Sequence, residues 1–183
     1  MSTNTQQIYE QTLVLRGQLG DEAAFAELLT LHGPHLLQFT RSMMQSSPDL
    51  VDDLLQEIWL AIYKGLPRLR DVSRFRPWVF RIARDRIYRE YRRRKMLVQP
   101  LAEDQLNELP DTEESLPTID TEELQRGLDA LSPEHSEVLM LCFIEEMSYE
   151  EIAHVTNTTL GTVRSRIHYA KRALKTALER KNI

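Results

Sequence analysis

Near the C-terminus, Arg164, Ser165, His168, Arg172 and Lys175 recur at helical spacing along one row, with Val163, Ile167, Ala170 and Leu174 along another. Arginine suits bidentate contact with guanine, and free amides at a helix start can hold a phosphate. The preceding segment, SYEEIAHV, predicts a short amphipathic helix with Ile152, Ala153 and Val155 facing inward. Asn157 stands where the chain must turn tightly, a place for residues that tolerate the left-handed conformation. Thr158 is placed to cap the helix that follows. Two helices around a tight turn, with polar side chains early in the second, is the layout of a helix-turn-helix whose second helix enters a major groove. The competing interpretation is a solvated basic helix.

A second chemistry-bearing stretch runs from Lys64 to Lys95, where thirteen basic and three acidic side chains leave a net charge of +10. Phe75, Trp78, Phe80, Tyr88 and Tyr91 interleave with the cations. Cations that follow a backbone, with aromatic faces on which bases stack, are what single-stranded nucleic acid requires. Phe75 and Trp78 fit core packing better than stacking. The consecutive Arg92, Arg93 and Arg94 repel one another unless a polyanion lies nearby.

Upstream, Asp49, Asp53, Gln56 and Glu57 share one helical face, with Asp52 beside them. That face reads equally as solvated surface or as an acidic docking surface for a protein. A divalent metal is disfavoured, because every carboxylate lies on one helix and no histidine assists. No metal and no cofactor is expected. His32 and His35 are expected at the surface of a helix kink.

These side chains need helices to position them. DEAAFAELLTLHGPHLLQFTRSMM predicts a helix with Phe25, Leu28, Leu29, Leu36 and Phe39 as its apolar row, broken or kinked at Gly33-Pro34. SSPDLVDDLLQEIWLAIYKGL predicts a helix capped by Ser47 with Pro48 at its first position, facing inward through Val51, Leu54, Leu55, Ile58 and Ile62. A basic loop, LPRLRDVSR, precedes FRPWVFRIARDRIYREYRRRK, a helix burying Val79, Ile82, Ala83, Ile87 and Tyr91. Residues 97–121 hold three prolines and a dense acidic run, a composition that buries too little apolar surface to fold alone. Helical patterning resumes where Thr121 can cap EELQRGLDAL and Ser132-Pro133 opens EHSEVLMLCFIEEM. Ser148 with Glu151 three residues on forms a capping box. The expected architecture is all-α. Residues 1–20 form a tail or the start of the first helix, 21–96 a helical domain, 97–121 an acidic flexible linker, and 122–183 a second small helical domain.

At 183 residues the chain can form one medium domain or two small ones. Its 42% hydrophobic and 28% charged content is ordinary for a globular protein. No apolar run is long enough for a bilayer and nothing near the N-terminus resembles a signal peptide, so a cytoplasmic location without membrane insertion is expected. The single cysteine, Cys142, excludes an internal disulfide or a Cys-based zinc site and is expected as a small buried apolar side chain. The net charge of −5 conceals a strong segregation: −6 over residues 1–63, −9 over 96–125, −6 over 126–156 and +6 over 157–183. Two separated basic blocks point to two contacts with a polyanion.

Taken together, these motifs resemble the extracytoplasmic-function (group 4) sigma factors, two-domain initiation subunits of bacterial RNA polymerase. VDDLLQEIWLAIYKGL is similar to their polymerase-binding helix in region 2, with Asp53, Gln56 and Glu57 matching its core motif. FRPWVFRIARDRIYREYRRRK looks like their promoter-melting helix, with Trp78, Arg81, Ile82 and Ala83 in register, and LSPEHSEVLMLCFIEEMSYEEIAHVTNTTLGTVRSRIHYAKRAL looks like their region 4. The resemblance implies that Asp49, Asp53, Gln56 and Glu57 dock on the clamp helices of the largest polymerase subunit. It implies that Arg74, Arg76, Trp78, Arg81, Arg84, Asp85, Tyr88 and Arg92 read and open the −10 element. It further implies that Thr162, Arg164, Ser165, His168, Tyr169 and Arg172 read the −35 duplex, while region 4 also meets the flap of the second-largest subunit. Polymerase makes the bonds, so no enzymatic activity is expected, and an anti-sigma factor is a possible partner. The chain departs from the family's frequent Asn at Asp85 and its common arginine at Tyr169. The alternative is a conventional helix-turn-helix regulator that acts on duplex DNA without serving as a polymerase subunit.

Overall fold

The structure, a computed structural model, describes residues 3–95, 127–128 and 130–179, and among them all regular structure is helical. The chain divides into two compact units, Met1–Arg94 and Lys95–Ile183. The linker expected over 97–121 and the cap expected at Thr121 lie outside the described residues.

The first unit contains α1 (Thr3–Gln18), α2 (Glu22–Met43), α3 (Val51–Gly65) and α4 (Phe75–Lys95), with 3-10 turns at Pro48–Leu50, Leu66–Arg68 and Val72–Arg74. Residues 3–18 form a helix of their own: α1 packs on α2 and buries Leu13 and Val14. Gln18 Nε2 donates to the carbonyls of Leu66 (3.0 Å) and Leu69 (2.7 Å), which ties the end of α1 to the turn after α3. Asp21 caps α2 by accepting from Ala24 N at 3.0 Å and pairs with Arg16 at 2.6 Å. Both bonds hold its carboxyl below the usual range, the backbone amide contributing most.

Neither a break at Gly33-Pro34 nor a cap at Ser47 forms here. α2 runs unbroken through Gly33-Pro34. Proline inside a helix removes a donor and costs about 3 kcal/mol, but Leu28, His32, Leu36 and Phe39 on either side are all buried, and their packing keeps the helix continuous. Ser47 does not cap α3, which begins only at Val51 after the 3-10 turn. Its buried hydroxyl instead accepts from Arg94 Nη1, and the Tyr91 hydroxyl donates to Met43 O, so two bonds fasten the far half of α4 to the chain after α2.

The core follows the periodicity of α3 and α4. Val51, Leu54, Ile58 and Ile62 are buried from one, and Val79, Phe80, Ala83 and Ile87 from the other. Leu55 and Ile82 are half-buried. Phe39 and Phe80 meet edge to face at 5.3 Å, a geometry that adds about 1 kcal/mol to what burial gives.

The second unit contains α5 (Pro133–Leu139), α6 (Tyr149–Thr156) and α7 (Leu160–Glu179). Ser132 caps α5 through His135 N at 3.4 Å. α5 widens into a π turn over Met140–Ile144, where Glu145 N donates to Met140 O at 3.0 Å, and Glu146 then takes a left-handed φ of 49°. Val138, Leu139, Met140 and Leu141 are buried, and α5 and α6 both pack on α7. Cys142 is half-buried rather than buried, and desolvation raises its thiol pKa. The capping box forms: Ser148 N donates to Glu151 Oε2 at 2.8 Å and Glu151 N to Ser148 Oγ at 3.2 Å.

Candidate functional site

In the second unit, α6 ends at Asn157 with φ 53° and ψ 45°, its N–H donating to Ala153 O. Asparagine bears this left-handed conformation better than a β-branched residue would. The cap of α7 is Thr159, not Thr158. Because α7 begins at Leu160, it is Thr159 that accepts from Thr162 N (3.2 Å, Oγ1) and Val163 N (3.0 Å, carbonyl). The Thr158 hydroxyl turns to that of Thr156 at 2.9 Å.

Val163, Ile167, Ala170 and Leu174 are all buried, so the opposite side of α7 faces outward. Arg164, Arg172 and Lys175 are exposed there, with Ser165, His168, Tyr169 and Thr162 half-buried. The hydroxyls are engaged by the helix itself: Ser165 Oγ donates to Gly161 O at 2.8 Å, and Thr162 shares a bond with Thr159 at 2.9 Å. His168 and Tyr169 meet edge to face at 5.7 Å. The far-reaching donors of this face are its cations.

In the first unit, α4 separates two kinds of aromatic residue. Phe75 and Phe80 are fully buried, with Phe75 against His32 at 5.2 Å. Neither is available to stack on a base. Trp78 is half-buried and lies against Gly65, where an added Cβ would come within 2.8 Å of the indole. Tyr88 is half-buried under the Arg84 guanidinium, 4.3 Å from its ring centroid. Arg81, Asp85, Tyr88 and Arg92 fall at helical spacing on one side; Asp85 and Arg92 are exposed, and Arg81 is half-buried. Arg76, half-buried at the start of α4, contributes positive charge near His32.

The three consecutive arginines do not depend on an external polyanion. Glu90 accepts from Arg93 (2.8 Å) and Arg94 (3.1 Å), and Arg93 above all holds the Glu90 carboxyl below its ordinary pKa. Arg92 Nε donates to Tyr88 O at 3.3 Å. Just before α4, Asp71 acts on its neighbours in a similar way. It accepts from Ser73 N (3.0 Å) and Ser73 Oγ (2.5 Å), lies 3.4 Å from the exposed Arg74, and has its pKa lowered chiefly by the serine hydroxyl. The Glu90 spacing to Arg93 and Arg94, i+3 and i+4, was the signal available in the sequence.

Asp52, Asp53, Gln56 and Glu57 are exposed on α3 away from its buried row, and Asp49 is exposed in the 3-10 turn just before it. Glu57 Oε2 lies 3.7 Å from Arg86 Nη1 of α4. His32 is not on a surface kink: it is buried at 6% exposure, and burial, followed by the charges of Arg76 and His35, pushes its pKa down to about 4. Glu10 Oε1, at 3.6 Å from His32 Nε2, is beyond hydrogen-bond reach and is itself raised by burial, so it does not hold a proton on the imidazole. Among the described residues no group of three or more His, Cys, Asp or Glu could hold a metal, and no helix is long and apolar enough to cross a membrane.

Two family models match: Sigma-70 region 2 over residues 28–96 and Sigma-70 region 4 over residues 121–174, together more than half of the chain. The chain is 29% identical over 171 residues to ECF RNA polymerase sigma factor SigE of Mycolicibacterium smegmatis, covering 85% of this chain and spanning 63% of that protein. It is also 29% identical over 182 residues to the ECF RNA polymerase sigma-E factor of Escherichia coli K12, covering 93% of this chain and 94% of that one. Among solved structures it is similar to the sigma factor RpoE from Bartonella quintana in complex with the anti-sigma factor NepR, with a TM-score of 0.68, 26% identity, and coverage of 85% of this chain and 96% of that one. With two regions matched in order, an acidic face on α3, a basic face on α4 and a helix-turn-helix ending in α7, the chain belongs to the extracytoplasmic-function family of RNA polymerase sigma factors.

Proposed function

We propose that this chain is an alternative sigma factor that binds core RNA polymerase and directs promoter-specific initiation, with residues 21–96 acting as region 2 and 122–183 as region 4. The observation that carries the proposal is the arrangement of α3 and α4. One unit presents exposed acidic side chains (Asp49, Asp53, Gln56, Glu57) and, on one side of α4, Arg81, Asp85, Tyr88 and Arg92, with Arg74, Arg76, Trp78 and Arg84 adding charge and an aromatic ring from elsewhere on that helix and the turn before it. A docking surface must stay away from DNA, and a DNA-opening surface must bring cations to the phosphates; one helix serves each need. The acidic face docks on the clamp helices of the largest subunit. The α4 face holds the opened −10 strand, offsetting the cost of unstacking with contacts that only single strand can make.

In the second unit, α7 enters the major groove of the −35 duplex with Arg164 and Arg172 reaching farthest, while Thr162, Ser165, His168 and Tyr169 line the same face and the flap of the second-largest subunit meets the neighbouring helices. The chain makes no bonds itself and works in the cytoplasm with polymerase, which performs the chemistry. The complex of the Bartonella quintana relative with an anti-sigma factor supports a masking partner of that class here.

The test is transcription from a genomic fragment library by core polymerase, with and without the full chain. New start sites sharing two spaced upstream elements are the expected result. Tight binding to a palindromic duplex without any gain in starts would favour the conventional regulator.

A further inference from the structure

The segment between α3 and α4, Leu66 to Arg74, brings Arg68, Arg70 and Arg74 to the surface of the first unit, all three exposed. Pro67 supplies no amide donor, and the carbonyls just past the end of α3 have no partner within that helix. Such a stretch needs bonds from elsewhere to hold one shape. They come from α1. Gln18 Nε2 donates to Leu66 O at 3.0 Å and to Leu69 O at 2.7 Å, residues 48 and 51 positions downstream, so both N–H bonds of one amide engage the loop. Leu69 N closes the same turn on Leu66 O at 3.1 Å. Gly17 lets α1 approach this closely, since a Cβ there would come within 2.9 Å of Leu66 Cδ2. Farther along, Asp71 accepts from Ser73 N and pairs with Arg74. Arg68 and Arg70 therefore leave backbone that is fixed on both sides. Cations presented by an ordered loop lose less entropy on meeting a strand than the same cations on a loose one.

We propose that Gln18 is a positioning residue of the promoter-opening surface: from α1 it holds the loop after α3 in the shape that carries Arg68 and Arg70 to the opened −10 strand. The inference rests on the sigma-factor reading. It extends the opening apparatus to a helix that lies ahead of residues 28–96, the stretch that matches region 2. The bonds would equally form if Gln18 did no more than cap the end of α3, so the test must separate placement of the arginines from support of the fold.

The experiment measures the affinity of core polymerase carrying the full chain for a promoter recovered from the fragment library and given a preformed −10 bubble. Gln18→Leu keeps the bulk and removes the donor, and is expected to weaken binding by about fivefold or more, the scale of one or two lost hydrogen bonds. Gln18→Glu, which sets a carboxylate against two carbonyl oxygens, should cost at least as much. Both changes are then repeated in a chain that also carries Arg68→Ala and Arg70→Ala. If the amide acts through these cations, its loss costs nothing further there, whereas changes at independent sites add. An equal fold-loss in both backgrounds would make Gln18 a cap only and overturn the proposal, as would unchanged affinity in both Gln18 variants. A wild-type chain that forms no complex with core polymerase would instead overturn the sigma reading itself.

Discussion

Glu57 Oε2 of α3 lies 3.7 Å from Arg86 Nη1 of α4, so an ion pair joins the acidic face to the basic helix. The Glu57 side chain is 60% exposed and that of Arg86 28%. An exposed pair of this kind contributes at most about 1 kcal/mol to folding. Glu57→Gln should leave the urea midpoint nearly unchanged and weaken binding to core polymerase by roughly fivefold or more, about 1 kcal/mol. Unchanged affinity together with a lowered midpoint would make Glu57 structural only.

Arg164 extends from α7 with its side chain exposed. Arg164→Ala should weaken binding to the −35 duplex by about 1–3 kcal/mol, the size of one bidentate base contact. Competition titrations against scrambled duplex distinguish the mode of contact, since an equal loss on both would place the guanidinium on phosphate.

Ser148 and Glu151 exchange bonds across the start of α6. Ser148→Ala should destabilise the second unit by about 1 kcal/mol, the usual cost of a lost N-cap. Thermal unfolding followed by circular dichroism reads the shift, and no shift would mean that α6 is held by its packing on α7 alone.

Gly65 leaves room for Trp78: a Cβ there would sit 2.8 Å from Cζ2 and 3.3 Å from Cη2 of the indole. Gly65→Ala gains helix propensity but forces the ring aside, with a net cost of about 1–3 kcal/mol typical of overpacking. Trp fluorescence should shift and promoter opening should fall, while −35 duplex binding stays intact. Normal opening with an unmoved indole would remove Trp78 from the −10 surface.

His32 links stability to pH. Its folded pKa, about 4, lies below the ordinary 6.5, so between those values the unfolded chain binds more protons than the folded one. Stability contributed by neutral His32 is therefore present above pH 6.5 and lost as pH falls towards 4, by about 3 kcal/mol at the limit. His32→Leu should flatten that part of the profile. The difference between the two proteins isolates the imidazole from Glu10, whose raised pKa acts in the opposite direction.

What was legible in the sequence was local. The buried row of α3, the left-handed Asn157 and the capping box at Ser148 each follow from residues within a few positions of one another. α1 was hidden because its apolar residues occupy opposite sides: Leu13 and Val14 are buried, while Ile8 and Leu15 remain 57% and 51% exposed. No single row exists to be read. Ser47 has the composition of an N-cap, but Arg94, 47 positions away, claims its hydroxyl. His32 and Pro34 failed for the same reason, since neither the Phe75 ring nor the packing around α2 is visible from their neighbours in the chain. At the candidate site the face of each helix was readable, whereas the carboxylates that tie down particular arginines are lost in a sum of charges over a block.

Those carboxylates change what ionic strength will reveal. Arg74, Arg86, Arg93 and Arg94 already sit beside Asp71, Glu57 and Glu90 before any nucleic acid arrives. Each cation that neutralises a phosphate on single-stranded DNA contributes about 0.7 to the slope of log affinity against log salt. Four partly compensated cations contribute less than that, so the block from Lys64 to Lys95 will be less salt-sensitive than its thirteen basic residues suggest. Grip on an opened strand should then persist at salt concentrations that dislodge duplex held by bare charge.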